Sequence, residues 1–159
     1  MFTLKPLSAS AVPAALEKAN RYRLLNEPGA AESICLDVLE VDPGNQEALV
    51  MLVLAVSDRL DKGYAVGDIH IRDYLARIED QYSRTYYTGI VYVRRAKAEL
   101  NRGGLQAYEL FRQAMEWFEK AEAIRPAGND DSILHWNRCA RMIDANKLKA
   151  RDMGQDFLE

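Results

Sequence analysis

The stretch from Tyr22 to Asn45, YRLLNEPGAAESICLDVLEVDPGN, decides the reading of the whole chain. Glu27-Pro28-Gly29 breaks it in two. After the break, Ala31, Ile34, Cys35, Val38 and Leu39 recur at helical spacing. Asp42-Pro43-Gly44-Asn45 then stops that helix, and Asn45 is placed to cap the next one. Two helices joined by so short a break must lie antiparallel, so the stretch reads as the centre of a helical hairpin.

Working outward, residues 1–11 show no helical period and read as a loose lead-in. Pro13 suits the first turn of a helix that carries Leu16, Ala19 and Tyr22 to about Asn26. A third helix is expected from Gln46 to Asp61. Its Leu49, Val50, Leu52, Val53, Leu54 and Val56 leave it almost no polar face, which predicts a central helix covered on several sides. Lys62 to Gly67 reads as a loop. Asp68 opens a fourth helix with Ile69, Ile71, Leu75 and Ile78, ending near Tyr82. A fifth helix is expected over Arg84–Arg102, with Tyr86, Gly89, Ile90, Val93, Ala96 and Leu100 on one side. After the Gly103-Gly104 turn, a sixth follows over Leu105–Arg125, with Phe111, Ala114, Met115, Phe118 and Ala121 as its stripe. A seventh starts at Asp130 or Asp131 and runs to Lys147 through Ile133, Trp136, Ala140 and Ile143. No segment alternates as a strand does, so the fold class is all-α.

Apolar residues make up 48% of the 159, enough for a real core in one domain. The net charge of −3 does not supply the basic face of a general nucleic-acid binder. Arg94-Arg95-x-Lys97 and Arg138-x2-Arg141 are basic, but Glu99, Glu109, Glu116, Glu119 and Glu122 lie among them, which reads as a solvated surface of mixed sign. Cys35 and Cys139 sit far apart in helical patterns, as buried thiols of a reducing compartment do. The start of the chain has no apolar run of signal length, and Ala48–Val56 is too short to span a bilayer; a cytoplasmic protein is expected. His70 and His135 lack partners at metal-ligand spacing, and Gly103-Gly104 lacks the Lys and Ser/Thr of a phosphate loop. No nucleophile–base pair or cofactor motif is readable, so neither an enzyme nor a cofactor is expected.

The spacings repeat. Ala19-x2-Tyr22, Ala31-x3-Cys35 and Pro43 in the first hairpin correspond to Gly89-x2-Tyr92, Ala114-x3-Phe118 and Pro126 in the last. Ala31 to Pro43 and Ala114 to Pro126 are both 12 steps, and Tyr22 to Val56 is 34, one tetratricopeptide period. The chain resembles the tetratricopeptide repeat family over residues 12–147. The resemblance implies a right-handed α-solenoid of seven helices: hairpins 12–44, 45–82 and 83–127, a capping helix 130–147, and a frayed tail 148–159. Small residues at Ala19, Ala31, Gly89 and Ala114 would let the paired helices approach closely. The chain departs from the pattern at Ala15 and Cys35, where large aromatics are usual. The second hairpin also lacks a closing proline. Tyr92 to Ala114 is 22 steps against 9 for Tyr22 to Ala31, which adds close to two turns to each helix of the last hairpin. At 1.5 Å per residue that is an extension of roughly 10 Å.

In this family the first helix of each hairpin lines a concave groove. The resemblance therefore places Asn20, Arg23, Leu54, Asp58, Tyr86, Tyr87, Ile90 and Arg94 there, as candidates to bind a peptide or helix of a partner protein. Leu54 and Ile90 can equally serve as inter-repeat core. Some members hold a chain-terminal carboxylate with a set of Lys, Asn and Arg; here only Asn20 matches, and Leu16, Met51, Ser83 and Tyr87 stand at other positions of that set. The expected function is an adaptor or scaffold without bond chemistry. The alternative is self-association through the lengthened fifth and sixth helices.

Overall fold

A computed structural model describes residues 1–60 and 67–151. Among these residues the chain is all-α: α1 (Val12–Leu24), α2 (Pro28–Val41), α3 (Gln46–Ser57), α4 (Gly67–Arg77), α5 (Gln81–Asn101), α6 (Ala107–Ala123) and α7 (Asp131–Ala145). Each helix packs on the one before it, giving an array of helical hairpins. The expected loop at 62–67, apart from Gly67, which opens α4, and most of the expected tail at 148–159 lie outside the described residues. No described helix is long and apolar enough to cross a membrane.

Pro28 and Gly29 do not belong to the break between the first two helices. Pro28 is buried and opens α2, where its missing N–H leaves nothing unpaired. The turn is made instead by Asn26 in the left-handed conformation (φ 61°), with the Glu27 N–H donating to the Tyr22 carbonyl at 2.9 Å. Asn45 caps α3 as its position indicates, its Oδ1 accepting from the Ala48 N–H at 2.9 Å. Leu7 packs against the first core, so the lead-in is partly held.

α3 lies against α1, α2, α4 and α5, and its residues Ala48, Leu49, Leu52, Val53 and Ala55 are wholly buried. The second hairpin needs no closing proline because side chains tie its ends. Gln46 Oε1 accepts from the Glu79 N–H at 2.8 Å, and Arg77 Nη2 donates to the Pro43 carbonyl at 2.8 Å. α4 stops at Arg77, short of the expected Tyr82. Asp80 caps α5, accepting from the Ser83 N–H at 2.9 Å and the Ser83 hydroxyl at 2.7 Å, and so starts that helix at Gln81. The buried face of α4 is Ile71, Tyr74 and Ile78, one turn apart; Ile69 points out and is 76% exposed.

α5 has 21 residues against 13 for α1, the two added turns that the spacing indicated, but α6 has 17 against 14 for α2, less than one turn more, so the lengthening falls mainly on α5. The small-residue positions hold: Ala19, Ala31 and Ala114 are fully buried. Gly89 is the tightest of them. A Cβ there would sit 2.7 Å from Phe118 Cε1. Phe118 is fully buried and stacks on His135 at 5.4 Å between ring centroids, so it cannot yield. Gly89→Ala is therefore expected to lower stability by about 1–2 kcal/mol. The overpacking cost of about 1–3 kcal/mol exceeds the helix propensity gained, and the melting temperature falls by roughly 2–8 °C. The control is Gly29→Ala, where the nearest atom is Arg59 Nη1 at 3.9 Å; its melting temperature is expected to hold or rise. Thermal melts followed by circular dichroism separate the two.

Candidate functional site

Three helices build one wall of a groove. α1 brings Asn20 and Arg23, α3 brings Leu54 and Asp58, and α5 brings Tyr86, Tyr87, Ile90 and Arg94, all at spacings that share a helix face. Two clefts open along this wall, and both are lined by Arg23, Leu54 and Tyr87, which makes them one continuous groove. The outer cleft, about 480 Å³, also takes in Asn20, Gln46, Glu47, Val50 and Met51. The inner cleft, about 340 Å³, runs between Tyr86, Ile90, Val93, Arg94 and Lys97 on α5 and Asp131, His135 and Arg138 on α7.

Seven of the eight residues expected in a groove line it, and the eighth, Asp58, joins two of them. Arg94 Nη1 lies 2.9 Å from the Asp58 carboxylate, while Arg23 Nη1 stands 3.9 Å away on the same group. Arg94 Nη1 also donates to the Ser57 hydroxyl at 2.6 Å and to the Leu54 carbonyl. A guanidinium thus closes the C-terminal turn of α3, where outward carbonyls and the helix dipole favour a cation. Burial works against the Arg94 charge, and Asp58 works for it. Arg94 and Asp58 are consequently committed to each other and to the α3–α5 junction, leaving Arg23 the freer of the two expected cations.

The inner wall is aromatic. Tyr86 meets Tyr82 in parallel at 5.8 Å, Tyr87 edge-on at 5.0 Å, Phe118 at 5.9 Å and His135 at 5.6 Å. Burial above all, then the Asp131 carboxylate, raises the Tyr86 and Tyr87 phenols further above their ordinary range, so both are neutral donors at pH 7. Tyr92, a turn and a half further along α5, stands apart beneath the Arg95 guanidinium, 5.3 Å from it. Burial, reinforced by Arg138, pushes the His135 imidazole below its ordinary 6.5. Its Nδ1 is enclosed and has no hydrogen-bond partner among the described residues.

The contribution of α7 was not legible as a site. The basic segments read as solvated surface in fact divide. Arg94, Lys97 and Arg138 turn into the inner cleft, Arg95 pairs with Asp68 at 3.1 Å, and none of the five neighbouring glutamates lines the cleft. Lys97 stands three residues after Arg94, and Arg138 three after His135; these are same-face spacings, but their convergence depends on how α7 docks. Both thiols are buried, Cys35 pushed up to about 12 and Cys139 to about 11 mainly by desolvation. Among the described residues no cluster of His, Cys, Asp or Glu has the makings of a metal site. Comparison with known proteins finds no matching family model, no matching curated protein and no matching solved structure.

Two outcomes follow from this geometry. Arg94→Met is expected to cost about 1–3 kcal/mol, because it removes the buried donor to the Ser57 hydroxyl and the Leu54 carbonyl and the nearer of the two guanidiniums on Asp58. Combined with Asp58→Asn it should cost clearly less than the sum of the two single changes, in a double-mutant cycle measured by urea unfolding. His135 takes its proton at a lower pH folded than unfolded, so the unfolded chain binds more protons just below pH 6.5 and stability falls on acidification through that window. In a His70→Gln background the imidazole resonance of His135 should titrate below 6.5; a midpoint at or above it would contradict the burial.

Proposed function

We propose that this chain is a tetratricopeptide-like adaptor that docks a segment of another protein in the groove between α1, α3, α5 and α7, with no bond chemistry of its own. The observation that carries the reading is the continuity of the groove. Residues 20, 23, 54, 86, 87, 90 and 94, far apart in the chain, line two clefts that share three side chains. Two clefts joined end to end suit an extended peptide or one face of a helix. The chemistry is also that of a recognition surface. An apolar floor at Leu54 and Ile90 lies beside Tyr and Arg side chains, the types that most often anchor interfaces. Family membership is supported by the fully buried Ala19 and Ala31 and by the close approach at Gly89, which are the packing reasons for the repeat. Self-association through α5 and α6 has less in its favour, since the α6 stripe of Phe111, Ala114, Met115 and Phe118 is already covered within one chain.

The test is selection of a displayed random peptide library on the whole protein, followed by affinity measurement on the selected sequences. Substituting Arg23→Ala with Leu54→Ala should weaken binding at least about tenfold, the loss of one or two anchors. Selected peptides whose affinity survives both changes, in variants that keep their helical spectrum, would sink the groove reading.

A further inference from the structure

The inner half of the groove has a charge opposite to that of the chain. Arg23, Arg94, Lys97 and Arg138 face two carboxylates there, Asp58 and Asp131, whereas the whole chain carries −3. The Asp58 carboxylate is engaged by Arg94. Lys97 and Arg138 have no ion pair among the described residues, although Arg59, Arg77, Arg95 and Arg125 each have one. The enclosed Arg23 Nε–H likewise has no acceptor among the described residues. Burial and the neighbouring Arg138 and Arg94 charges make the Lys97 ammonium less favourable than usual, the condition an incoming anion relieves. Asp131 stands seven residues before Arg138 on α7, roughly 10 Å along the helix, and acts on Tyr86 and Tyr87. The acceptor-poor end of the cleft is therefore the one at Lys97 and Arg138.

Resting on the docking reading above, we infer that the groove selects an acidic peptide segment, with a side-chain carboxylate seated between Lys97 and Arg138 and apolar side chains over Leu54 and Ile90. The outer cleft explains why the anion is a peptide and not a polyanion. It is walled by Glu47, Asn20 and Gln46 over Val50 and Met51, which suits apolar and amide groups and repels a phosphate backbone. The cations come from the C-terminal half of α5 and from α7, whereas none of the positions where some tetratricopeptide proteins hold a chain end, here Leu16, Asn20, Met51, Ser83 and Tyr87, carries a positive charge. The carboxylate read is accordingly a side chain.

The experiment uses the peptides selected on the full chain, with affinity measured by fluorescence anisotropy at low and high salt. Sequences enriched in Asp or Glu are expected. Changing those residues to Asn or Gln should weaken binding at least about tenfold in low salt and much less in high salt. C-terminal amidation should change nothing. Lys97→Met with Arg138→Gln should lower affinity for the acidic peptide by a similar factor and leave its amide version almost unaffected. Peptides that need Leu54 and Arg23 but bind equally as acid and amide overturn this inference and leave the docking reading standing. Dependence on the free C-terminus overturns it in favour of chain-end recognition. Tight, Lys97-dependent binding of oligouridylate without peptide binding overturns both. The acid-to-amide comparison is made on the unaltered protein, so it decides the matter even where a protein variant fails to fold.

Discussion

A helix with almost no polar face needs other elements to cover most of its circumference. α3 is that helix, and the arrangement of the chain follows from covering it. α1, α2, α4 and α5 all pack on it. Its sides are satisfied by apolar contact, while its C-terminal end, where the helix dipole leaves partial negative charge, favours a cation. Arg94 reaches that end from α5 and joins the Leu54 carbonyl, the Ser57 hydroxyl and the Asp58 carboxylate. The same contact lies between the first core, built on α1 to α4 with Val91 of α5, and the second, built on α5 to α7 with Leu54 of α3 packed against it. The groove is the concave side of that junction.

This explains why the groove is two-natured. Its outer part lies over the flank of the apolar helix and inherits Val50, Met51 and Leu54 as floor. Its inner part lies where α5 outruns α3 and faces α7, so long basic side chains on both helices reach across the opening. Length and charge are thus connected: without the added turns of α5, Lys97 would have no place in the cleft.

Most of the architecture could be read from the chain because it rests on local rules. Asn45 before an apolar run, Pro28 where an N–H would be unpaired anyway, and alanines at close crossings each carry their own signal. Errors fell where tertiary contacts override local pattern. Ile69 joins the helical period by spacing yet faces solvent, because the α4 stripe is set by what α3 offers. Asp80 carries the same local cap signal as Asn45, accepting from the N–H three residues on, but it lies inside what looks like one continuous helical run from Asp68 to Tyr82. Residues of α1, α3 and α5 could be expected to share one wall from the resemblance, which treats those helices as equivalent. Lys97, His135 and Arg138 could not, because the terminal helix follows no repeat position and its docking angle leaves no trace in spacing.

One feature reaches beyond the groove. Each core holds a single cysteine: Cys35 lies among the α1–α4 side chains and Cys139 among those of α5–α7, both enclosed and with little thiolate at neutral pH. A thiol in that state reacts only when its surroundings open. The chain therefore carries one native chemical clock in each half. Thiol-labelling rates at the two positions give the opening free energies of the two halves separately, and any difference between them measures how firmly the Arg94 junction makes the protein open as one body.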